Sequence, residues 1–278
     1  MMCSHASRTD PGPYEENEDS VGWDEDLGLF LVADGMGGHA AGREASCIAR
    51  DTFIEAVRSG VDHVESTLSA HHAISTSEYA KNAPDGIGST LVAAQLDGSY
   101  ADLVWVGDSR CYLWRDGGLT VVSHDHSFVQ MLVDQNKITL EEARAHPKRN
   151  LLTQVLGMES PKPQTRRLPL QQGDWLLLCS DGLNDVLSDE EIAAQLIDSQ
   201  GDLEVAAQEL LNQVAATGGK DNVSVVVVKF DGTTADELIV EQETVFTGLK
   251  QWLGSPVGMG MVGAIVVFLI FAWLMRSS

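Results

Sequence analysis

Positive charge is what this sequence has least of. Its 278 residues carry 18 Lys and Arg against 41 Asp and Glu, a formal net charge of −23 at pH 7. Phosphate contacts in nucleic-acid binding come from Lys and Arg, so this balance argues against nucleic acid as a partner and for cations instead. Cysteine is also scarce. Cys3, Cys47, Cys111 and Cys179 include no CxxC pair, which suggests neither a disulfide framework nor a zinc site and fits a reducing compartment. The first ten residues, MMCSHASRTD, lack the apolar stretch of a signal peptide, so the bulk of the chain is not expected to be secreted. No internal repeat is visible.

Charge is missing altogether near the other end. Val257 to Met275 reads VGMGMVGAIVVFLIFAWLM, long enough at 1.5 Å per residue to cross a hydrocarbon core of roughly 30 Å. A buried core helix is the alternative, but such helices seldom run this long without a polar residue. The expected organisation is a folded domain over 1–230, a polar juxtamembrane linker over 231–256 and a transmembrane helix over 257–275. Lys250 and Arg276 flank the span almost evenly, so charge bias does not set its orientation. Its position at the extreme C-terminus implies insertion after translation, with the domain left in the cytosol.

What is present between the ends is an alternation of strand-like and helix-like stretches. Three β-rich runs between Thr90 and Ser123 are broken at Asp97-Gly98 and at Asp116-Gly117-Gly118, and a DG pair between such runs is a strong hairpin signal; an antiparallel meander is expected. WLLLCSD and NVSVVVVKF are so dense in Leu and Val that both faces must be covered. Helices are expected over 41–57, 63–79, 188–197 and 203–214, and Thr139 with Glu142 and Ser188 with Glu191 have capping-box spacing. Strands with helices in separate blocks predict an α+β layered domain.

One stretch, LGLFLVADGMGGHAAGREAS from Leu27 to Ser46, drives an apolar run into Asp34 and then strips the next turn of side chains. Glycine there permits unusual dihedrals and close backbone approach, which serves an ordinary strand-to-helix loop as well as a bound ion. Other carboxylates must decide. Asp34, Asp125, Asp181 and Asp221 each sit where a β-rich run ends or is about to begin, and Glu18-Asp19 precede another. Several carboxylates gathered at one sheet edge repel unless a cation neutralises them, and oxygen-only ligands select Mg²⁺ or Mn²⁺ over zinc.

The order of short motifs then becomes informative: NEDS (17–20), VADGMGGH (32–39), GST (88–90), VGDSR (106–110), DHS (125–127), CSDGL (179–183) and KDNVSVVVV (220–228). Together they resemble the bacterial members of the metal-dependent protein phosphatase family of the PP2C type, over about residues 8–230. The resemblance implies an antiparallel β-sandwich flanked by helices in four αββα layers, two metal ions at one end, and hydrolysis of phosphoserine and phosphothreonine in proteins. It implies that Asp34 bridges both Mn²⁺ or Mg²⁺ ions, that the Gly35 carbonyl and Glu18 serve one of them, that Asp19 holds a metal-bound water, and that Asp181 and Asp221 complete the other site. Asp125 with Asp181 best matches the ligands of a third, weaker metal. Asp108 reads as a structural turn acid. The implied partners are phosphoproteins made by a serine/threonine kinase, and with the C-terminal span the implied location is the inner membrane, catalytic domain inward.

Paired ions of this kind activate a shared water for in-line attack on phosphorus, so the expected reaction needs no covalent phosphoenzyme. Two departures from the family pattern stand out. Met36 occupies the place of a histidine assigned as general acid in eukaryotic members; His39 lies three residues further on and His126 sits beside the candidate ligand Asp125. Tyr14 stands where the family has a phosphate-gripping arginine. Phe128 to Gly157 resembles the family's mobile flap, from which Lys148 and Arg149 are candidates to meet a negatively charged substrate. A metal-retaining binding module without activity and a simple acidic cation-binding protein are the competing readings.

Overall fold

Val223 to Phe230 explains the architecture. In this single strand Val223, Val225 and Val227 enter one apolar cluster while Val226, Val228 and Phe230 enter another, so both faces are buried, as the unbroken valine run requires. The computed structural model describes residues 3–38, 40–83, 86–158 and 160–232. His39, all but the first two residues of the expected linker, and the expected membrane span at 257–275 lie outside them. Among the described residues no helix is long and apolar enough to cross a membrane.

Two antiparallel sheets face each other. The first runs, side by side, β1 (Cys3–Asp10), β11 (Val223–Phe230), β10 (Trp175–Cys179), β7 (Arg110–Arg115) and β8 (Gly118–Val121). The second runs β2 (Asp19–Asp24), β3 (Leu29–Met36), β5 (Leu91–Asp97), β6 (Tyr100–Val106) and β9 (Gln164–Pro169), with the short β4 (Gly88–Ser89) on the end of β3. Phe30, Val32, Val92, Leu103, Leu176 and Leu178 fill the space between the sheets. Against the outer face of the second sheet lie α1 (Ala40–Arg58) and α2 (His63–Ser75), followed by α3 (Glu78–Asn82); Ala45, Ala49, Phe53 and Ile74 meet Leu29, Leu31 and Ala93 there. The first sheet is covered by α6 (Asp181–Asn184), α7 (Asp189–Asp198) and α8 (Leu203–Thr217), through Leu183, Ile192, Leu196, Leu210 and Val214. The result is the α+β, four-layer αββα arrangement expected from the sequence.

Two expectations need correction. The meander does not continue past β6: the β5–β6 hairpin belongs to the second sheet, and the β7–β8 hairpin to the first. Gly107, at φ 105°, turns the chain out of one sheet and into the other, in a conformation costly for a residue with a Cβ. Asp108 therefore sits at the end of the sandwich. The helix expected over 63–79 breaks at Thr76-Ser77, where the Ser77 hydroxyl accepts the Ala80 N–H and starts α3 afresh, a serine preference for caps over helix interiors. Both capping boxes form, Thr139 with Glu142 opening α5 (Leu140–Arg144) and Ser188 with Glu191 opening α7. With α4 (Phe128–Asp134), α5 makes up the segment that resembles a flap.

Leu178, fully buried between the sheets, tests this core. Leu178→Ala is expected to lower unfolding free energy by about 2–5 kcal/mol through lost burial and a residual cavity, read as a lower urea midpoint at unchanged slope.

Candidate metal centre and reaction cleft

Strand register brings the first two acids together. β2 pairs with β3 so that Asp19 lies opposite Asp34. Backbone contacts hold Asp34 from behind: its N–H donates to Thr90 Oγ1 at 3.0 Å, and the Thr90 N–H donates to its carbonyl at 2.8 Å. The Thr90 hydroxyl is in turn 2.6 Å from Ser109 Oγ. Asp19 is fixed through one oxygen only. Ser180 Oγ donates to Asp19 Oδ2 at 2.7 Å and accepts the Ser224 N–H at 3.0 Å, while Asp19 Oδ1 is buried without a partner.

The remaining acids arrive from the first sheet. Asp181 opens α6 directly after β10, and Asp221 precedes β11. Gly182 lets these segments close up, since a Cβ there would lie 1.9 Å from the Asn222 carbonyl oxygen. Asn222 then ties them to the N-terminal loop: its Oδ1 accepts the Glu18 N–H at 2.7 Å, and its Nδ2 donates to the Pro11 carbonyl at 2.9 Å and the Glu16 carbonyl at 3.5 Å. Gly35 has a packing reason of its own. A Cβ at that position would lie 2.0 Å from the Gly42 carbonyl oxygen and 2.6 Å from that of Glu18, and one at Gly42 would strike Glu18 Oε2.

These carboxyls repel one another. Burial, reinforced first by Asp19 and then by Asp181, holds the Asp34 carboxyl well above the ordinary carboxylate range. Burial, with Asp108 and Asp185 next, does the same to Asp181. Burial raises Asp19 to about 6 despite its serine donors, and raises Asp108 to about 7 with Asp125 as the next cause; burial also raises Asp221. Groups that resist ionisation together are ionised by an ion placed among them.

Among the described residues no three carboxylate, histidine or cysteine side chains stand close enough to grip an ion as they are. The donor set nevertheless fits a hard divalent ion in kind. It is all oxygen, the charge of Asp181 bears on the Asp34 carboxyl, and Asp19 presents a buried oxygen without a partner. Such an ion supplies, when bound, charge neutralisation at phosphoryl oxygens and a more acidic water.

A cleft of about 430 Å³ opens over Glu18, Asp34, Gly35, Asp181 and Asp221, with Tyr14, Met36, Asn150 and Leu152 also lining it. Of the sequence candidates, Arg149 and Asp125 are placed elsewhere. They line a neighbouring cavity of about 320 Å³ beneath the α4–α5 segment, which shares Asp108 with the cleft. Arg149 Nε is 3.2 Å from Asp185. Arg110 donates to both Asp125 oxygens, the shortest contact being 2.6 Å, so Asp125 is committed to a bidentate ion pair. Two further acids bear on Asp181: Asp108, a turn acid in the sequence analysis, and Asp185, four residues after Asp181 and so on the same side of a helical turn. His126 is buried, with Nδ1 accepting the Gly107 N–H at 3.2 Å.

The chain and its fold are similar to known proteins. The chain is 39% identical over 234 residues to the serine/threonine protein phosphatase PstP of Mycobacterium tuberculosis, covering 82% of this chain and 45% of that protein, so it spans about half the relative's length. It is 35% identical over 241 residues to the serine/threonine phosphatase stp of Listeria monocytogenes, covering 81% of this chain and 95% of that one. The structure matches the PstP catalytic domain in complex with two manganese ions at a TM-score of 0.70 and 37% identity, covering 82% of this chain and 97% of that one. The profile of the family described as protein phosphatase 2C matches residues 14–223, and the chain belongs to that family.

Proposed function

We propose that this protein is a metal-dependent protein serine/threonine phosphatase, acting on phosphoproteins made by a serine/threonine kinase and held at the inner membrane by residues 257–275 with its catalytic domain in the cytosol. The observation that carries the catalytic reading is the convergence of Glu18, Asp34, Asp181 and Asp221, from four separate chain segments, on one cleft. A solved relative in complex with two manganese ions makes Mn²⁺ the first ion to try.

In this reading Asp34 would serve both ions, Glu18 and the Gly35 carbonyl would hold one and Asp181 and Asp221 the other, and Asp19 would orient water beside them. A third, weaker ion would meet Asp181 with Asp108 and Asp185, whose charges face it, and not with Asp125, whose oxygens Arg110 engages. The chain's own residues fix geometry: Thr90 and Ser180 hold the acids, Asn222 holds the Glu18 backbone, and Tyr14 offers the substrate phosphate a neutral hydroxyl. Arg8 and Arg149 do not replace an arginine at Tyr14, since Arg8 is paired with Glu204 and Arg149 with Asp185.

Three measurements test this. Phosphate release from a phosphothreonine peptide should require Mn²⁺ or Mg²⁺, vanish in excess chelator, and fall by more than about a thousandfold in Asp34→Ala; activity persisting in chelator would sink the mechanism.

The second measurement is of stability. Asp19 and Asp108 have folded pKa values raised above the unfolded value near 3.9, so their contribution is fully present below about pH 4 and is lost as pH rises through about 6 and 7. Mn²⁺ binds the deprotonated carboxylates, so the rise in Tm that it gives should be larger at pH 8 than at pH 5. A Tm rise independent of pH would contradict this.

The third concerns the tether. Full-length protein should sediment with membranes and resist extraction by salt, whereas a chain ending at Asp231 should be soluble and keep its kcat; full-length protein wholly in the supernatant would refute the anchor.

A further inference from the structure

The cavity beside the cleft is lined for an apolar guest. Its walls include Val121 of β8, Val129 of α4, and Leu140 and Ala143 of α5. Val129 and Ala143 are buried and Leu140 is 66% exposed, so an apolar surface runs from the interior out to the mouth. A volume of about 320 Å³ falls within the range of roughly 300–1,000 Å³ usual for ligand sites. It is room enough for one large side chain.

Charge in these walls is cancelled in pairs. Arg110 donates to both Asp125 oxygens, Arg144 lies 3.5 Å from Asp189, and Arg149 lies 3.2 Å from Asp185. A charged guest has to compete with one of these pairs, and breaking the largely buried Arg110–Asp125 pair would strand a charge. An apolar guest displaces only water, with a gain that grows with the area covered. The two outer pairs also tie the end of α5 and the turn after it to the α6–α7 corner, which holds the roof of the cavity to its floor.

Position identifies the guest. Asp108 lines both the cavity and the reaction cleft, and one stretch of chain divides the two: Arg149 lines the cavity, while Asn150 and Leu152 line the cleft. On the far side, Arg144, Asn184 and Asp185 are common to the cavity and a smaller hollow of about 140 Å³ at the α6–α7 corner. The three spaces adjoin in series. A polypeptide with its phosphate in the cleft, extending at roughly 3.3 Å per residue, crosses from one space to the next within a few residues.

We propose that this cavity is a specificity site for the substrate chain: it takes a large apolar side chain, leucine, methionine or phenylalanine, within about four residues of the phosphorylated serine or threonine. The proposal rests on the phosphatase reading above and narrows the class of phosphoprotein that the cleft accepts. Leu140 closes over the guest at the mouth, and Val121, Val129 and Ala143 meet it inside.

The test uses the full-length protein with Mn²⁺ and one phosphothreonine peptide in which a leucine replaces alanine at each position in turn, from four residues before the phosphothreonine to four after it. At a position on one side, leucine should raise kcat/KM about tenfold or more over alanine, chiefly through a lower KM. That leucine-to-alanine ratio should fall by about threefold or more in Leu140→Ala, which removes part of the wall, and in Ala143→Leu, which fills the space, while Leu140→Met keeps it. Leu140 is exposed, so its variants retain the fold even where Ala143→Leu does not. A flat scan in which every peptide is turned over would overturn this proposal and leave the phosphatase reading standing. A leucine preference untouched by Leu140→Ala would put the apolar contact elsewhere and overturn the cavity as its seat. A flat scan together with a detergent-solubilised dimer that Leu140→Ala dissociates would give the cavity to a second copy of the chain. Failure of the wild-type protein on every peptide would overturn both readings.

Discussion

Repulsion among carboxylates is the constraint on which this structure turns. Five acids, Glu18, Asp34, Asp108, Asp181 and Asp221, line one cleft, and burial with mutual charge holds most of them above their ordinary range. No free chain would gather them. The sandwich does so because each acid is fixed to a strand end or a short turn, whose positions are set by apolar packing elsewhere: Asp34 by β3 between two layers of core, Asp221 by the valines of β11, Asp181 by the leucines of β10. The hydrophobic core, at roughly 25 cal/mol per Å² buried, is what opposes the electrostatic cost of assembling the site.

That opposition is transmitted by a few neutral polar groups. Thr90 grips both backbone groups of Asp34, Ser180 joins Asp19 to β11, and Asn222 sews the loop carrying Glu18 to the strand after Asp221. Each uses a hydroxyl or amide, so none adds charge to a place already overcharged. Close glycine contacts complete the arrangement. Gly35 against the Gly42 carbonyl and Gly182 against the Asn222 carbonyl let backbone meet backbone where any Cβ would hold two acid-bearing segments apart. Gly35 was read in sequence as a glycine that lets its carbonyl meet an ion, and the structure adds that α1 leaves no room for a side chain.

The legibility of the sequence followed the range of the forces involved. Strand density in NVSVVVVKF, the DG hairpins and the two capping boxes are local signals, and each appeared as expected. The layer order was legible only through the family resemblance, because nothing local says that β7 leaves the sheet of β6; that decision rests on Gly107 and on which apolar faces find each other. Asp34, Asp181 and Asp221 were visible because each punctuates a strand. The place of Asp185 beside Asp181 was not, since it depends on a helical turn, and the pairing of Asp125 with Arg110 depends on a contact that spacing does not encode.

The shortage of cations with which the sequence begins has a structural counterpart. The few arginines are spent on holding acids still: Arg58 on Asp24, Arg115 on Asp174, Arg110 on Asp125, Arg149 on Asp185, Arg167 on Asp97 and Asp102. Arg115 and Arg110 do this beside aspartates that are largely buried, where removing either partner would strand a charge. None of these guanidiniums lines the cleft. On the proposed reading, a phosphate dianion entering it meets neutral groups over a floor of carboxylates, an arrangement that repels it unless bound cations reverse the sign of the floor. On that reading, metal dependence follows from how the described residues of the cleft distribute their charge.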